Sequence, residues 1–147
     1  MSDAEKSQGK ILMYQVLQAE LEQLNKQGVM INNRLIDLET TDHALNEMVK
    51  FSKDKDSMVP IGSGCYAQGS VSGSGVLLDI GGGVMVKREI KAAKAFIEGR
   101  KDEIEDAAKK LQLQMNDVVK NINELMPEIQ KIVKEQQGHH DHHDHKH

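Results

Sequence analysis

Residues 58–89 read MVPIGSGCYAQGSVSGSGVLLDIGGGVMVKRE. Short apolar and β-branched runs alternate here with glycine-rich breaks. Met58–Ile61, Cys65–Val71, Val76–Ile80 and Val84–Lys87 have the composition of strands. Gly62–Gly64, Ser72–Gly75 and Gly81–Gly83 have the composition of reversals. Strands separated by glycine turns are hairpin signals, so the stretch predicts two β-hairpins. Pro60 lacks a backbone donor and confines the first strand to an edge.

Outward from this insert the period changes. On the N-terminal side Leu17, Leu21, Leu24, Ile31, Leu35, Leu38, Leu45 and Val49 follow alternating steps of four and three, with Gly28 and Asp42 in the slots that break the apolar rule. On the C-terminal side Ile90, Ile97, Ile104, Leu111, Val118, Leu125 and Ile132 stand seven apart. Their companion positions are Lys94 and Lys101 near the insert, then Ala108, Met115, Ile122 and Ile129. Sustained repeats of seven indicate a coiled coil. The predicted fold is mostly α: a long antiparallel coiled-coil hairpin with two inserted β-hairpins that build an inter-subunit β-barrel. Its segments are a frayed N-terminus (1–9), helix one (10–51), a double-hairpin assembly module (57–87), helix two (88–135) and a disordered His-rich tail (138–147), either native or an expression tag. The first helix would extend roughly 60 Å. Gly28 costs about 1 kcal/mol of propensity and reads as a soft spot or a close helix approach. Pro127 is expected to kink or end the second helix. Residues 51–57 form a charged linker.

Composition supports a seam rather than a globular core. The 147 residues include no Trp, two Phe and two Tyr, so aliphatic residues must do the burying. Charged residues are 29% of the chain, close to the usual share, which argues against disorder throughout. Lys and Arg number 19 against 23 Asp and Glu, a net charge of −4 that disfavours nucleic acid as a partner. The single cysteine, Cys65, excludes an internal disulfide and fits a reduced compartment. Met1–Lys10 is polar and is not a secretory signal. No apolar run reaches the roughly 18 residues of a membrane span, so a cytoplasmic protein without membrane contact is expected.

Short hairpins of small residues have little core of their own and are marginal in water. Their open edges template further pairing. Pairing with strands of other subunits, closing a barrel, would satisfy them. The residues expected to make that assembly are Val59, Pro60, Ile61, Tyr66, Val71, Val76, Leu77, Leu78, Ile80, Val84 and Val86.

The layout resembles the prefoldin family in its archaeal alpha class. Val59, Pro60, Ile61, Gly62 and Gly64 match the first turn of the family pattern, and Gly81, Gly83, Val84, Val86 and Lys87 match the second. Two hairpins rather than one place the chain in the alpha class, and the flanking heptads extend the likeness over residues 10–135. The resemblance implies a hexamer of two alpha-class and four beta-class subunits with six coiled-coil arms on a double barrel. It also implies an ATP-independent chaperone that holds non-native polypeptides between arm tips and passes them to a group II chaperonin. A structural coiled-coil scaffold or filament assembled through the same hairpins is the alternative.

Other chemistry is poorly supported. Neither glycine turn continues into the Lys-Ser or Lys-Thr of a phosphate-binding loop; Cys65 and Val84 follow instead. Cys65 reads as a small buried residue, and His43 as a solvated one. No nucleophile–base set or cofactor loop is present, so neither an enzyme nor a cofactor is expected. His139, His140, His142 and His143, with the rest of the tail, would bind transition metals adventitiously, but their spacing is unlike a structural zinc site. The candidate client contacts lie at the arm ends: Ile11, Leu12, Met13, Tyr14 and Leu17 on one helix, and Leu125, Met126, Ile129, Ile132 and Val133 on the other. Four adjacent apolar residues exceed one stripe, so about half of the set is expected to close the seam and half to face outward.

Overall fold

The computed structural model describes residues 2–140. The element order is α1 (Asp3–Met48), β1 (Lys55–Gly62), β2 (Cys65–Val71), β3 (Val76–Asp79), β4 (Met85–Arg88) and α2 (Ile90–His140). The described chain divides into two compact units. The terminal unit joins the segment up to Ile31 with the segment from Ala107; the central unit is Asn32–Asp106.

α1 starts well before residue 10, so the first residues are helical rather than frayed. The cause is a capping box. The Ser2 hydroxyl accepts from the Glu5 amide at 3.3 Å, and the Glu5 carboxylate accepts from the Ser2 amide at 3.0 Å. Two donors that a helix start leaves orphaned are thereby satisfied. α1 ends at Met48, three residues short of the predicted bound. Beyond it the hydrogen bonds contract to a three-residue step, from Lys50 to Glu47 and from Phe51 to Met48, each 3.1 Å. Val49 therefore leaves the seam and is exposed, while Met48 packs inward. The Lys50 ammonium donates to Glu47 at 2.9 Å and holds that carboxyl below its usual range, first through the hydrogen bond and then through its charge.

α2 passes through Pro127 and runs on to His140. Pro127 and Asn123, whose carbonyl it leaves without an intrahelical donor, are both exposed. Water can take that carbonyl, so the helix continues. The tail prediction is corrected accordingly: residues 138–140 are helical, and the rest of the tail lies outside the described residues.

In the terminal unit the helices pair antiparallel. Leu24 of α1 is buried with Leu111, Val118 and Ile122 of α2, and Tyr14, Leu17, Leu21, Ile31, Met115 and Met126 pack around them. A Cβ on Gly28 would lie 3.5 Å from Leu111 Cδ2, so Leu111 fills the slot that the glycine leaves in the heptad. Lys10 and Glu128 bridge the two helices at 3.2 Å on an exposed flank.

The central unit buries Leu38 and Leu45 of α1 with Ile90, Ala93 and Ile97 of α2, again antiparallel. Asp42 occupies a seam slot here. Its Oδ2 accepts from Asn46 at 3.4 Å, while its Oδ1 is buried with no partner among the described residues. The strands make two separate two-stranded antiparallel sheets, β1–β2 and β3–β4. β1 begins at Lys55, inside the expected linker, because Lys55 and Asp56 pair with Val71 and Ser70 at a charged end of the hairpin. The first hairpin reverses at Gly62 and Gly64, both at positive φ, with Ser63 sharing that region. β4 begins one residue later than predicted, since Val84 belongs to the turn: its amide donates to Gly81 and its carbonyl accepts from Ile80, both at 3.1 Å.

Two glycines are expected to respond oppositely to alanine. At Gly75 a Cβ would meet the Arg88 carbonyl oxygen at 2.8 Å. Gly75→Ala should lower stability by about 1–3 kcal/mol through overpacking against backbone. Gly28→Ala meets only an ordinary contact and should raise it by up to about 1 kcal/mol through helix propensity. Thermal unfolding followed by circular dichroism measures both.

Candidate functional site

Two regions hold the residues singled out in the sequence, one in each unit. At the chain-terminal end of the terminal unit the run Ile11–Tyr14 is divided by the helical period. Ile11 and Tyr14 are half-buried and turn to the partner helix, whereas Leu12 and Met13 are 61% and 58% exposed. The Tyr14 hydroxyl accepts a hydrogen bond from Gln18 at 2.8 Å. Leu17, Met126 and Ile129 are half-buried, and Leu125 and Ile132 are buried. Val133 is exposed. The candidate client set thus splits, with Leu12, Met13 and Val133 free and the others in the seam.

Val16 is a further exposed apolar residue that heptad reasoning passed over. It stands one helical turn from both Leu12 and Met13, so the three make one patch on the solvent side of α1. The signal was available in the spacing, since three apolar residues sit off the stripe at steps of three and four.

The hairpins behave differently from each other. On β1–β2, Val59, Pro60 and Tyr66 are exposed, Ile61 is 71% exposed, and Val71 is half-buried. Cys65 is exposed at the start of β2, opposite Gly62, and not buried as expected. A position beside a glycine reversal offers it no core to enter. On β3–β4 the pleat sorts the residues into two faces. Val76 and Leu78 pack against the buried Leu38, Leu45, Ile90, Ala93 and Ile97, and Val86, opposite Leu78, is half-buried. The other face carries Leu77, which is 67% exposed, and its neighbour Met85. Ile80 and Val84 at the turn are exposed as well. Of the residues expected at an assembly surface, Val76 and Leu78 are therefore engaged by the chain's own helices.

One side chain ties the second hairpin to α2. Arg100 donates to the Asp79 carbonyl at 3.0 Å, and its guanidinium stacks on the Phe96 ring at 4.4 Å. Asp79 in turn accepts from the Gly81 amide at 2.9 Å, and Gly81, Gly82 and Gly83 all take positive φ. The glycine loops are thus hairpin reversals. β2 and β3 do not pair, so each of the four strands keeps one edge without a strand partner among the described residues.

His43 is exposed, and no group of His, Cys, Asp or Glu among the described residues is arranged to hold a metal ion. His139 and His140 lie on α2; His142 and His143 lie outside the described residues. No helix among the described residues is long and apolar enough to cross a membrane.

The family model for the prefoldin subunit matches residues 17–135. A prefoldin subunit alpha of Pyrococcus horikoshii is 30% identical over 125 residues, 84% of each chain. That of Archaeoglobus fulgidus is 30% identical over 137 residues, covering 88% of this chain and 95% of the relative. Among solved structures, a filamentous PFD from Methanocaldococcus jannaschii aligns with a TM-score of 0.66 at 17% identity, over 82% of this chain and 98% of that one. The prefoldin beta subunit from Thermococcus strain KS-1 aligns at 0.57 and 16%, over 86% and 91%. These two show the shared fold.

Arg100→Ala removes both the hydrogen bond to Asp79 and the ring stacking. It is expected to lower stability by about 1–2 kcal/mol. Amides in Asp79–Val84 should exchange with solvent faster, while those of the terminal unit stay unchanged, as hydrogen-exchange mass spectrometry would read.

Proposed function

The chain belongs to the prefoldin family of chaperone subunits, which assemble with other prefoldin subunits, and we propose that it acts as an ATP-independent holdase subunit. It works in the cytoplasm within a hexamer of two alpha-class and four beta-class subunits. The hexamer captures non-native polypeptides at its coiled-coil ends and passes them to a group II chaperonin. The observation that carries this reading is the exposed apolar patch of Leu12, Met13 and Val16, with Val133 exposed on α2, on helices whose seam is already closed. An apolar patch with no internal use suits transient contact with the exposed apolar side chains of unfolded chains. Methionine suits it further, since an unbranched thioether adapts to many shapes. Several weak grips on one client add through effective concentration, without one tight site or a nucleotide cycle. Seam residues such as Tyr14, Leu17, Leu125 and Ile132 support the patch by holding the helices together.

Assembly, in this reading, uses the unpaired strand edges and the exposed face around Leu77, Ile80, Val84 and Met85, together with Val59, Ile61 and Tyr66 on the first hairpin. Strands of beta-class partners complete the sheets. A scaffold or filament is the second reading. The same open edges would serve an open polymer, and one fold neighbour is a filamentous PFD.

Two measurements test these readings. The solution mass of the chain mixed with a one-hairpin beta-class subunit should give a closed hexamer, whereas open polymers would favour the filament. In the assembled complex, the triple change Leu12→Ser, Met13→Ser and Val16→Ser should weaken suppression of client aggregation several-fold without altering that mass. Equal protection by the variant would remove the patch from client capture.

A further inference from the structure

Where the first turns of α1 meet the last turns of α2, the terminal unit carries an open groove of about 430 Å3. Clefts that take ligands have roughly 300–1,000 Å3. Ile11, half-buried, and Ile132, buried, are its apolar part. Three carboxylates, Asp3, Glu5 and Glu135, line it together with His139. Neither lysine nor arginine lines it among the described residues. The apolar surface continues outward from the groove, because Leu12 and Val133 directly follow Ile11 and Ile132 and are both exposed.

The three carboxylates differ in their local use. Asp3 and Glu5 stand in the first turn of α1, where a helix dipole favours acids, and Glu5 also closes the capping box. Glu135 has no such reason, since it lies toward the end of α2, where the dipole favours cations. None of the three joins an ion pair among the described residues. Glu128, two turns back on α2, is by contrast held by Lys10 at 3.2 Å.

An apolar cleft bordered by carboxylates without cations of their own is complementary to a ligand that brings both. Lysine and arginine suit it, because their methylene stems cover apolar surface while the charged head stays in water. A ligand carrying acids would instead meet like charge. A cleft lined by one sign of charge also raises the local concentration of the opposite sign.

We propose that this groove takes apolar segments of non-native polypeptides that carry lysine or arginine within a few residues, and discriminates against segments flanked by acids. The apolar side chain lies on Ile11 and Ile132, and the basic ones meet Asp3, Glu5 and Glu135. Leu12, Met13 and Val16 add a grip that is indifferent to charge. The proposal rests on the holdase reading above and deepens it by naming the class of client segment.

The test uses the assembled complex and three fluorescent peptides of one apolar sequence, flanked by lysine, by glutamine or by glutamate. Anisotropy near neutral pH reads their binding. The lysine peptide should bind about three- to tenfold more tightly than the glutamine peptide, the return of a few exposed ion pairs. The glutamate peptide should bind more weakly than either. The preference should vanish in D3N/E5Q/E135Q, and at about 0.5 M NaCl, where screening is short-ranged. Gln at position 5 keeps the capping box. The variant E20Q/D117N/E124Q removes three carboxylates farther along the same helices and should keep the preference. Equal binding of the three peptides by the unaltered complex would overturn the proposal and leave the holdase reading intact. Equal loss of preference in both variants, or no peptide binding by a complex that still holds clients, would do the same. A complex that binds no peptide and holds no client would remove the holdase reading itself, and the proposal with it.

Discussion

A seam one side chain deep carries nearly all of this protein's apolar burial. Each unit closes it in the same way, with α1 and α2 antiparallel and leucine, isoleucine, valine and alanine meeting between them. Full burial of one such leucine or isoleucine is worth about 1.5–3 kcal/mol, and among the strands one face of the second hairpin, through Val76 and Leu78, adds to it. Everything outside the stripe must therefore be polar or be covered by something else. The charged flanks satisfy the first condition. The first hairpin, the outer face of the second and the patch at Leu12, Met13 and Val16 satisfy neither within the chain itself, and these are the places where the proposed function puts partners.

The second hairpin mediates between these conditions. Its pleat gives Val76 and Leu78 to the helices and leaves Leu77 and Met85 outside. Arg100 and Phe96 fix its turn end to α2. An element anchored on one face and bare on the other presents a surface whose position is set before any partner arrives. Less ordering is then left to be done at association. The first hairpin has Val59, Ile61 and Tyr66 exposed, so more of its apolar surface is left over.

The repeats made the helices and their pairing legible from the amino-acid order, and the glycine clusters made both hairpins legible. Chain ends were harder, because a heptad pattern is silent about where a helix starts. Ser2 and Glu5 carried that information in a capping box that the polar opening disguised. Pro127 does not end α2, which runs on to His140, and the carbonyl it frees belongs to the exposed Asn123. At the candidate site, the run Ile11–Tyr14 was too long for one stripe, but only the structure shows that Leu12 and Met13 face outward, and Val16 was passed over beside the seam residue Leu17. Strand alternation alone does not tell which face of β3 meets a helix, so Val76 and Leu78 could be sorted from Leu77 only in three dimensions. Cys65 followed the general habit of cysteine until the turn beside it removed any core.

Asp42 has a consequence of another kind. A pattern that repeats every seven residues looks the same after a slip of seven, so leucines alone would let two helices slide past one another among nearly equivalent alignments. Asp42 interrupts the apolar stripe at one place, and the Glu39–Lys101 ion pair, 3.8 Å long, joins the two helices in this alignment; Asn46, on the same helix as Asp42, stays its partner in any alignment. A polar residue in a seam slot costs stability, and a slip would set it against different neighbours. The helix alignment of the central unit sets where Val76 and Leu78 of β3 meet the helices.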